Sequence, residues 1–427
     1  MNENIKNKKI WIFHHYATPP NMSGLTRAYN FSKQLIHRGY RCEIFSSAYL
    51  HYSNENIISD KSLFKELIFD TVRFVFIRTA EYKKSKIRRV LNILSYYCNV
   101  NKVSSLYFKN NGKPDVIIGS SAHPLAAVAA IKQGRKYGCQ SIIEIRDLWP
   151  ESFVAYGLIS NKNPLLHILY AGEKWIYKNA DKLIFTMEGG RDYIIEQGWD
   201  AEQGGPIDMN KVHHINNGVD LKVFKYNKVN FQFEDEDLDN NTFKVIYAGS
   251  IRLVNNVKSI VDAAFEIKKL GVENIKFLIY GEGSDKASLE EYCKENGINN
   301  VVFKGFVDKK YIPYILSKSD LNIIHFEQNK IKKYGASLNK MFEYFASGKP
   351  TLSDCKFGYD LIEKYKCGVV IDSTNPKDIA MAILEVRDMT SLEYKKLCDN
   401  SLIAAKKFDF ENLANNLEDV INGGNNI

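Results

Sequence analysis

The chain of 427 residues is too long for one ordinary hydrophobic core, so two domains of roughly 200 residues each are expected. With 45% hydrophobic and 25% charged residues it is neither disordered nor fibrous, and its seven cysteines, odd in number and without a Cys-x-x-Cys, point away from a disulfide framework and a zinc site and fit a reducing cytoplasm. A formal charge of +8 does not by itself choose between nucleic acid, anionic lipid and solubility, but no nucleic-acid motif accompanies it, so no nucleic-acid partner is expected.

Short β-branched and aromatic runs recur from the start: Lys9-Ile-Trp-Ile-Phe13, Arg41-Cys-Glu-Ile-Phe45, Val72-Arg-Phe-Val-Phe-Ile77, Asp115-Val-Ile-Ile118, Ser141-Ile-Ile-Glu-Ile145 and Lys182-Leu-Ile-Phe185. They predict buried strands. Helical periodicities lie between them, such as Ala28, Phe31 and Leu35, or Leu125, Val128 and Ile131, and this alternation is that of a parallel, Rossmann-like α/β sheet. The run Lys83-Lys84-Ser-Lys86-Ile87-Arg88-Arg89 leads into Val90-Leu91-Asn-Ile93-Leu94-Ser-Tyr96-Tyr97. Basic then apolar, it fits a helix lying on anionic lipid as well as it fits a solvated face beside a core helix.

The polar, acidic stretch from Asn230 to Asn241 reads as a surface loop. No strand precedes its Asp235-x-Asp237 and Asp237-x-Asp239 pairs, which therefore read as solvated charge rather than a metal motif. After it the pattern restarts with Phe243-Lys-Val-Ile-Tyr247, Lys276-Phe-Leu-Ile-Tyr280, Val301-Val-Phe303, Leu321-Asn-Ile-Ile324 and Gly368-Val-Val-Ile371, a second α/β domain. Two such domains imply a ligand cleft between them, beyond the carboxyl ends of the strands. No segment approaches the roughly 18 apolar residues of a membrane span, which suits a soluble cytoplasmic protein or one attached peripherally to the inner face of the plasma membrane.

The segment Tyr334-Gly-Ala-Ser-Leu-Asn-Lys-Met-Phe-Glu343 carries the most chemistry. Leu338, Met341, Phe342 and Phe345 recur at i, i+3, i+4 and i+7, the stripe of an amphipathic helix, with Ser337 as the expected N-cap and Gly348 and Pro350 as stop signals. A cation in the first turn of a helix is unfavourable by about 0.3–1 kcal/mol unless an anion is present, yet Lys340 stands there. With Lys332 and Lys333 upstream and the free N–H groups of the first turn, it predicts a phosphate or diphosphate site. The competing expectation is an i, i+3 pair between Lys340 and Glu343.

The chain as a whole resembles glycosyltransferase family 4, in particular bacterial polysaccharide enzymes of the N-acetylfucosaminyltransferase-like type. The likeness rests on that donor segment together with Arg146-Asp-Leu-Trp-Pro-Glu151, His214-Ile-Asn-Asn-Gly-Val-Asp220, Tyr247-Ala-Gly-Ser-Ile-Arg252, Tyr280-Gly-Glu-Gly283 and Phe303-Lys-Gly-Phe-Val307, in order and at matching spacing. It implies a GT-B fold, two Rossmann-like domains facing each other across a cleft. Residues 1–221 would form the acceptor-side domain and 222–404 the donor domain, with a C-terminal helix within 405–427 returning to the first domain.

The family's Glu-x7-Glu is represented by Glu343 at its second glutamate, which binds the ribose, and by Gly335 at its first. The family's two phosphate-binding cations would fall on Ser250 and Asn256, so Lys340 and Arg252 are the expected replacements. The resemblance assigns Gly24 of the Met22-Ser-Gly24 loop, Gly281 and Gly283, Val307, Ser337, Leu338 and Asn339 to the donor site as well. On the acceptor side, their places at strand ends point to His123, as a residue lining the cleft, and to Asp147, which would orient the acceptor hydroxyl or accept its proton, while Arg146 stands where many family members have a histidine.

The resemblance also implies transfer with retained anomeric configuration, without a metal or other cofactor and without a protein nucleophile. The donor would be a nucleotide sugar, UDP-linked and carrying an N-acetylated hexosamine or deoxyhexosamine. The acceptor would be a lipid-linked sugar or oligosaccharide of capsule or O-antigen synthesis at the cytoplasmic membrane surface. The alternatives are a nucleotide-sugar 2-epimerase of the same architecture and a non-catalytic polysaccharide-assembly binding protein. The adjacent His14 and His15 lack metal-ligand spacing.

Overall fold

A computed structural model describes residues 7–22, 24–83, 85–252 and 255–423. Ser23 of the glycine loop, Lys84 of the basic run and the end of the C-terminal segment lie outside the described residues. The chain divides into two compact units, one of residues 1–216 and 413–427, the other of residues 217–412.

The first unit is built on β1 (Lys9–Phe13), β2 (Arg41–Ser47), β3 (Phe64–Phe69), β4 (Val72–Ile77), β5 (Val116–Ser120), β6 (Gln140–Ile145), β7 (Lys182–Phe185) and β8 (Val212–His214). They form one sheet in the order β3-β4-β2-β1-β5-β6-β7-β8. All neighbours are parallel except β3, which runs antiparallel to β4. The central strands are almost wholly buried because helices cover both faces, which is why they read as continuous apolar runs. β3 is absent from the expected strands: as an edge strand it mixes charged and apolar residues, Phe64-Lys-Glu-Leu-Ile-Phe69, and is half-buried or exposed throughout.

Helices Lys86–Asn111, Pro124–Tyr137 and Leu165–Asn179 pack side by side in this unit. The C-terminal segment joins it through Glu418, which accepts from Arg38 Nη1 and from the Tyr40 hydroxyl, each at 2.9 Å.

The second unit holds β9 (Phe243–Ala248), β10 (Ile275–Tyr280), β11 (Val301–Gly305), β12 (Leu321–Ile324), β13 (Thr351–Ser353) and β14 (Gly368–Val370). Its sheet, in the order β11-β10-β9-β12-β13-β14, is parallel throughout. Val245, Tyr247, Ile260, Phe277, Ile279 and Ile323 belong to its core. In each unit the chain leaves the first strand in both directions, so a topological switch point falls between β1 and β5 and again between β9 and β12. Ligands of open α/β sheets bind at the carboxyl edge of such points. Among the described residues no helix is long and apolar enough to cross a membrane.

Asp235 and Asp237 are not solvated charges. Lys304 Nζ reaches Asp235 Oδ1 at 2.6 Å and Asp237 Oδ2 at 2.7 Å, Lys276 Nζ reaches Asp237 Oδ1 at 2.5 Å, and the Tyr280 hydroxyl donates to Asp235 at 3.0 Å. The lysines come from β10 and β11, and the acidic segment, which includes the helical turn Glu236–Asp239, is pinned against that side of the sheet.

Candidate functional site

In the second unit, the segments following β9, β10 and β11 are joined backbone to backbone. Gly249 N–H donates to Tyr280 O at 2.9 Å, Ile251 N–H to Glu282 O at 3.0 Å, and Gly281 N–H to Gly305 O at 2.7 Å. This explains Gly281 and Gly283. A Cβ on Gly281 would lie 1.8 Å from Gly249 O and one on Gly283 1.9 Å from Ile251 O, so both glycines are required by the neighbouring backbone before any ligand is considered.

The helix Asn339–Ser347 begins one residue later than Ser337 predicts. Its N-cap is Leu338, which has no capping side chain. Ser337 is drawn away, its hydroxyl accepting from Asn217 N–H at 2.8 Å while its carbonyl accepts from Asn217 Nδ2 at 2.7 Å. The first-turn N–H groups are therefore not capped by a side chain, which leaves them suited to an anion. Gly335, at φ +89° in the left-handed region, ends the 3-10 turn Lys330–Tyr334 just upstream.

Tyr344 ties this helix to β9 by accepting from Ala248 N–H at 2.9 Å. Lys340 then projects to the end of that strand, its Nζ 2.9 Å from the Tyr247 hydroxyl and 4.2 Å from the ring centroid. The hydroxyl in turn donates to Ser250 O at 2.9 Å, and the Ser250 side chain accepts from Asn255 Nδ2 at 2.7 Å. Lys340 is half-buried, and desolvation lowers its pKa to about 7. The competing pair with Glu343 does not form, because Glu343 Oε1 faces Lys309 Nζ at 3.3 Å instead.

The upstream lysines are less available than anticipated. Lys332 Nζ is 2.7 Å from Asp372 Oδ1, and Lys333 Nζ lies over the Tyr334 ring at 4.9 Å. Arg252 is exposed after β9, while Asn339 is exposed and Val307 half-buried at their own strand and helix ends.

In the first unit the carboxyl ends of β1, β5 and β6 gather a buried polar group. Arg27 Nε is 2.6 Å from Glu144 Oε2, its Nη2 donates to Ile215 O at 2.8 Å, and Ser120 Oγ donates to Glu144 Oε1 at 3.1 Å. Burial alone would raise the Glu144 carboxyl, but the Arg27 and Arg146 charges outweigh it and hold it at about 2. Arg146 Nη1 also approaches His14 Nε2 at 3.4 Å. Burial, aided by the Arg146 charge, lowers His14 to about 3, so this imidazole is neutral at physiological pH.

His123 is buried. It stands at the N-cap of helix Pro124–Tyr137, and its Nε2 lies 2.6 Å from His15 Nδ1. Burial lowers its pKa to about 3. Asp147 follows β6 with its side chain open to solvent, yet the protein packed about it raises its carboxyl above the ordinary value, an effect that Arg146 opposes. Such a carboxylate is a better proton acceptor than an ordinary aspartate.

Gly24, at φ +155°, lies in a loop closed by Thr18 N–H donating to Leu25 O at 3.1 Å; a Cβ there would meet Thr18 Oγ1 at 2.5 Å. The structure thus groups Ser250, Gly281, Gly283, Lys340 and Val307 around the carboxyl edge of β9 to β11, and His123, Arg146 and Asp147 around that of β5 and β6. Tyr247, Tyr344, Arg27 and Glu144 escape sequence reasoning. Arg27 is detectable as a charge at the first turn of an apolar helix, whereas the tyrosines look like ordinary strand and helix core.

Residues 25–223 match the family model Glycosyltransferase Family 4, and residues 228–406 match Glycosyl transferases group 1. Among curated proteins, the chain is 22% identical over 258 residues to one named as a colanic acid biosynthesis glycosyl transferase, WcaI of Escherichia coli K12, covering 59% of each. It is 25% identical over 249 residues to the poly(ribitol-phosphate) alpha-N-acetylglucosaminyltransferase of Staphylococcus aureus COL, covering 56% of this chain and 44% of that one. These matches span less than two thirds of either relative.

Among solved structures, sucrose-phosphate synthase from Thermosynechococcus elongatus superposes with a TM-score of 0.71 at 14% identity, over 97% of this chain and 98% of that one. HepE of Anabaena in complex with UDP and glucose gives 0.64 at 13%, over 97% and 100%. With the two family domains following one another along nearly all of the described chain, and with two α/β sheets that are parallel but for the edge strand β3, this protein belongs to the GT-B glycosyltransferases.

Proposed function

We propose that the protein is a retaining glycosyltransferase of surface-polysaccharide synthesis. It would move a sugar from a UDP-linked donor to a hydroxyl of a lipid-linked sugar or oligosaccharide, without a metal. The observation that carries the donor assignment is Lys340. A cation placed in the first turn of an uncapped helix, beside glycine-rich strand ends, meets only a tyrosine and no carboxylate among the described residues. A diphosphate would supply the missing charge, and as the donor bond breaks, the helix N-terminus and the ammonium would stabilise the charge developing on the leaving group. The solved relative that holds UDP and glucose supports a uridine nucleotide, and the N-acetylglucosaminyltransferase relative supports an N-acetylated sugar, as the N-acetylfucosaminyltransferase-like branch would use.

Glu343 is the candidate for the ribose hydroxyls and Asp147 for the acceptor hydroxyl. Membrane contact is supported by helix Lys86–Asn111, whose first turns expose Ile87 (78%), Val90 (56%) and Leu91 (52%) beside Lys86, Arg88 and Arg89. The test is to incubate the purified protein with a panel of UDP-sugars and membrane-extracted acceptor lipids, and to read product and anomeric configuration by NMR. Transfer with retention is expected. An inverted product, an epimerised sugar with donor alone, or no turnover of any nucleotide sugar would overturn the proposal.

A further inference from the structure

Between helices Pro124–Tyr137 and Leu165–Asn179 the first unit holds a pocket of about 380 Å3, near the lower end of the roughly 300–1,000 Å3 of small-molecule sites. Leu125 and Val128 line it from one helix, Leu169 and Ile176 from the other, and Trp149 and Trp175 add aromatic wall. Along the second helix Leu165, Ile168, Leu169, Gly172 and Ile176 recur at i, i+3, i+4, i+7 and i+11. That stripe ordinarily packs against a core, yet Ile168 is 69% exposed.

Gly172 is the telling residue. A glycine within a helix weakens it and is usually retained because φ is positive or a neighbour leaves no room for a Cβ. Neither holds here. Gly172 is not among the positive-φ glycines, and a Cβ built on it would meet nothing within 4 Å. Gly172 is exposed at the rim of the pocket, so a side chain placed there would extend into the pocket's open side.

The surroundings indicate what fills that volume. Helix Pro124–Tyr137 packs against Lys86–Asn111 on one side and Leu165–Asn179 on the other, and Lys132 Nζ donates to the Tyr97 hydroxyl at 2.8 Å. Each of these helices returns from the carboxyl edge of the parallel sheet, so their N-terminal turns lie along that one edge. There the exposed apolar and basic turns of the first helix adjoin the layer that holds the pocket. Asp147, the candidate acceptor carboxylate, lines the same pocket.

An apolar recess beside a surface suited to anionic lipid, with a carboxylate on its wall, has the chemistry of a site for a hydrocarbon chain with a sugar at its head. We propose that this pocket binds the first carbons of the acceptor's hydrocarbon chain and so presents the attached sugar to Asp147. The proposal rests on the acceptor being lipid-linked.

The probe is 3-bromododecyl phosphate, whose bromine lies among the first carbons of the chain and quenches tryptophan on contact. Trp149 and Trp175 line the pocket, whereas Trp11 and Trp199, the other two tryptophans of the chain, are buried elsewhere. Saturable quenching is expected, with affinity falling as side-chain volume grows in Gly172→Ala, Gly172→Leu and Gly172→Phe, to at least tenfold weaker in the last, and with melting temperatures no lower than that of the parent. A flat series, or equal quenching by 2-bromoethyl phosphate, would overturn the proposal. In the transfer assay, Gly172→Phe should lower the ratio of kcat/KM for a lipid-linked acceptor over the same sugar on a methyl aglycone about tenfold. An unchanged ratio overturns the pocket alone. Wild-type transfer to soluble acceptors but to no lipid-linked one overturns the acceptor class, and the pocket's role with it.

Discussion

Lys340 Nζ stands 2.9 Å from the Tyr247 hydroxyl and 4.2 Å from the centre of that ring, so a side chain from the first turn of one helix is held by a neutral partner at the end of β9. Desolvation takes its pKa to about 7. A bound diphosphate would return it towards the ordinary lysine range near 10.4. Above pH 7, therefore, UDP binding should take up a proton, and affinity should fall as pH rises. Calorimetry at pH 8 in buffers of different ionisation enthalpy should show uptake approaching about one proton, disappearing at pH 6. Lys340→Ala should abolish it and weaken UDP by about 1.5–3 kcal/mol, on the order of 10- to 100-fold. Unchanged affinity and uptake in that variant would remove Lys340 from the donor site.

Arg27 and Glu144 form a buried ion pair with side chains 4% and 11% exposed. Glu144→Ala leaves the guanidinium without its carboxylate and should destabilise the first unit by about 3–5 kcal/mol in urea unfolding. Because the folded Glu144 carboxyl titrates at about 2, below its unfolded value, its contribution is present at neutral pH and is lost as pH falls through the acid range towards 2. Replacing Glu144 should flatten that part of the stability profile. A loss under about 1 kcal/mol would mean that Arg27 is satisfied by backbone carbonyls alone.

Glu173 behaves in the opposite sense. Burial lifts its carboxyl to about 8 although the Tyr177 and Tyr193 hydroxyls each donate to it at 2.7 Å. The folded state then holds a proton that the unfolded chain releases near pH 4.3, so stability should decline as pH rises from about 4.3 to 8. Glu173→Gln, which keeps a neutral group of the same shape, should abolish the decline. A melting temperature equally pH-dependent in both proteins would show that Glu173 is ionised in the fold.

Gly281→Ala places a methyl group 1.8 Å from Gly249 O, at a φ of +147° that L-residues avoid. Destabilisation of about 1–3 kcal/mol is expected from overpacking, with displacement of the loops after β9 and β10. UDP binding should weaken along with stability. If only binding suffered, with melting unchanged, the glycine would be serving the ligand rather than the neighbouring backbone.

Much of the fold is legible in the amino-acid order. The apolar runs that form β1, β2, β4 to β7, β9, β10 and β12 declare themselves because both faces of a parallel sheet are covered, those of the half-buried edge strands β11 and β14 through their β-branched residues, and the helix at residues 339–347 through its i, i+3, i+4 stripe. β3 is a partly exposed edge strand without a continuous apolar run, and β8 (Val212-His-His214) and β13 (Thr351-Leu-Ser353) each hold a single aliphatic residue among polar ones, so neither shows an apolar run. Ser337 reads as a cap but does not act as one, because its competing partner, Asn217, is 120 residues away.

The amino-acid order by itself therefore determined the two α/β halves, the family resemblance and the presence of an uncompensated cation in the first turn of the donor-segment helix, since each is written in local periodicity, motif spacing and charge. Only the tertiary structure decided the partners: Tyr247 for Lys340, 93 residues away; Glu144 for Arg27, 117 residues away; and the space left beside Gly172. Those depend on which strands become neighbours and how closely backbones approach. Sheet order brings such residues together, and no spacing along the chain encodes it.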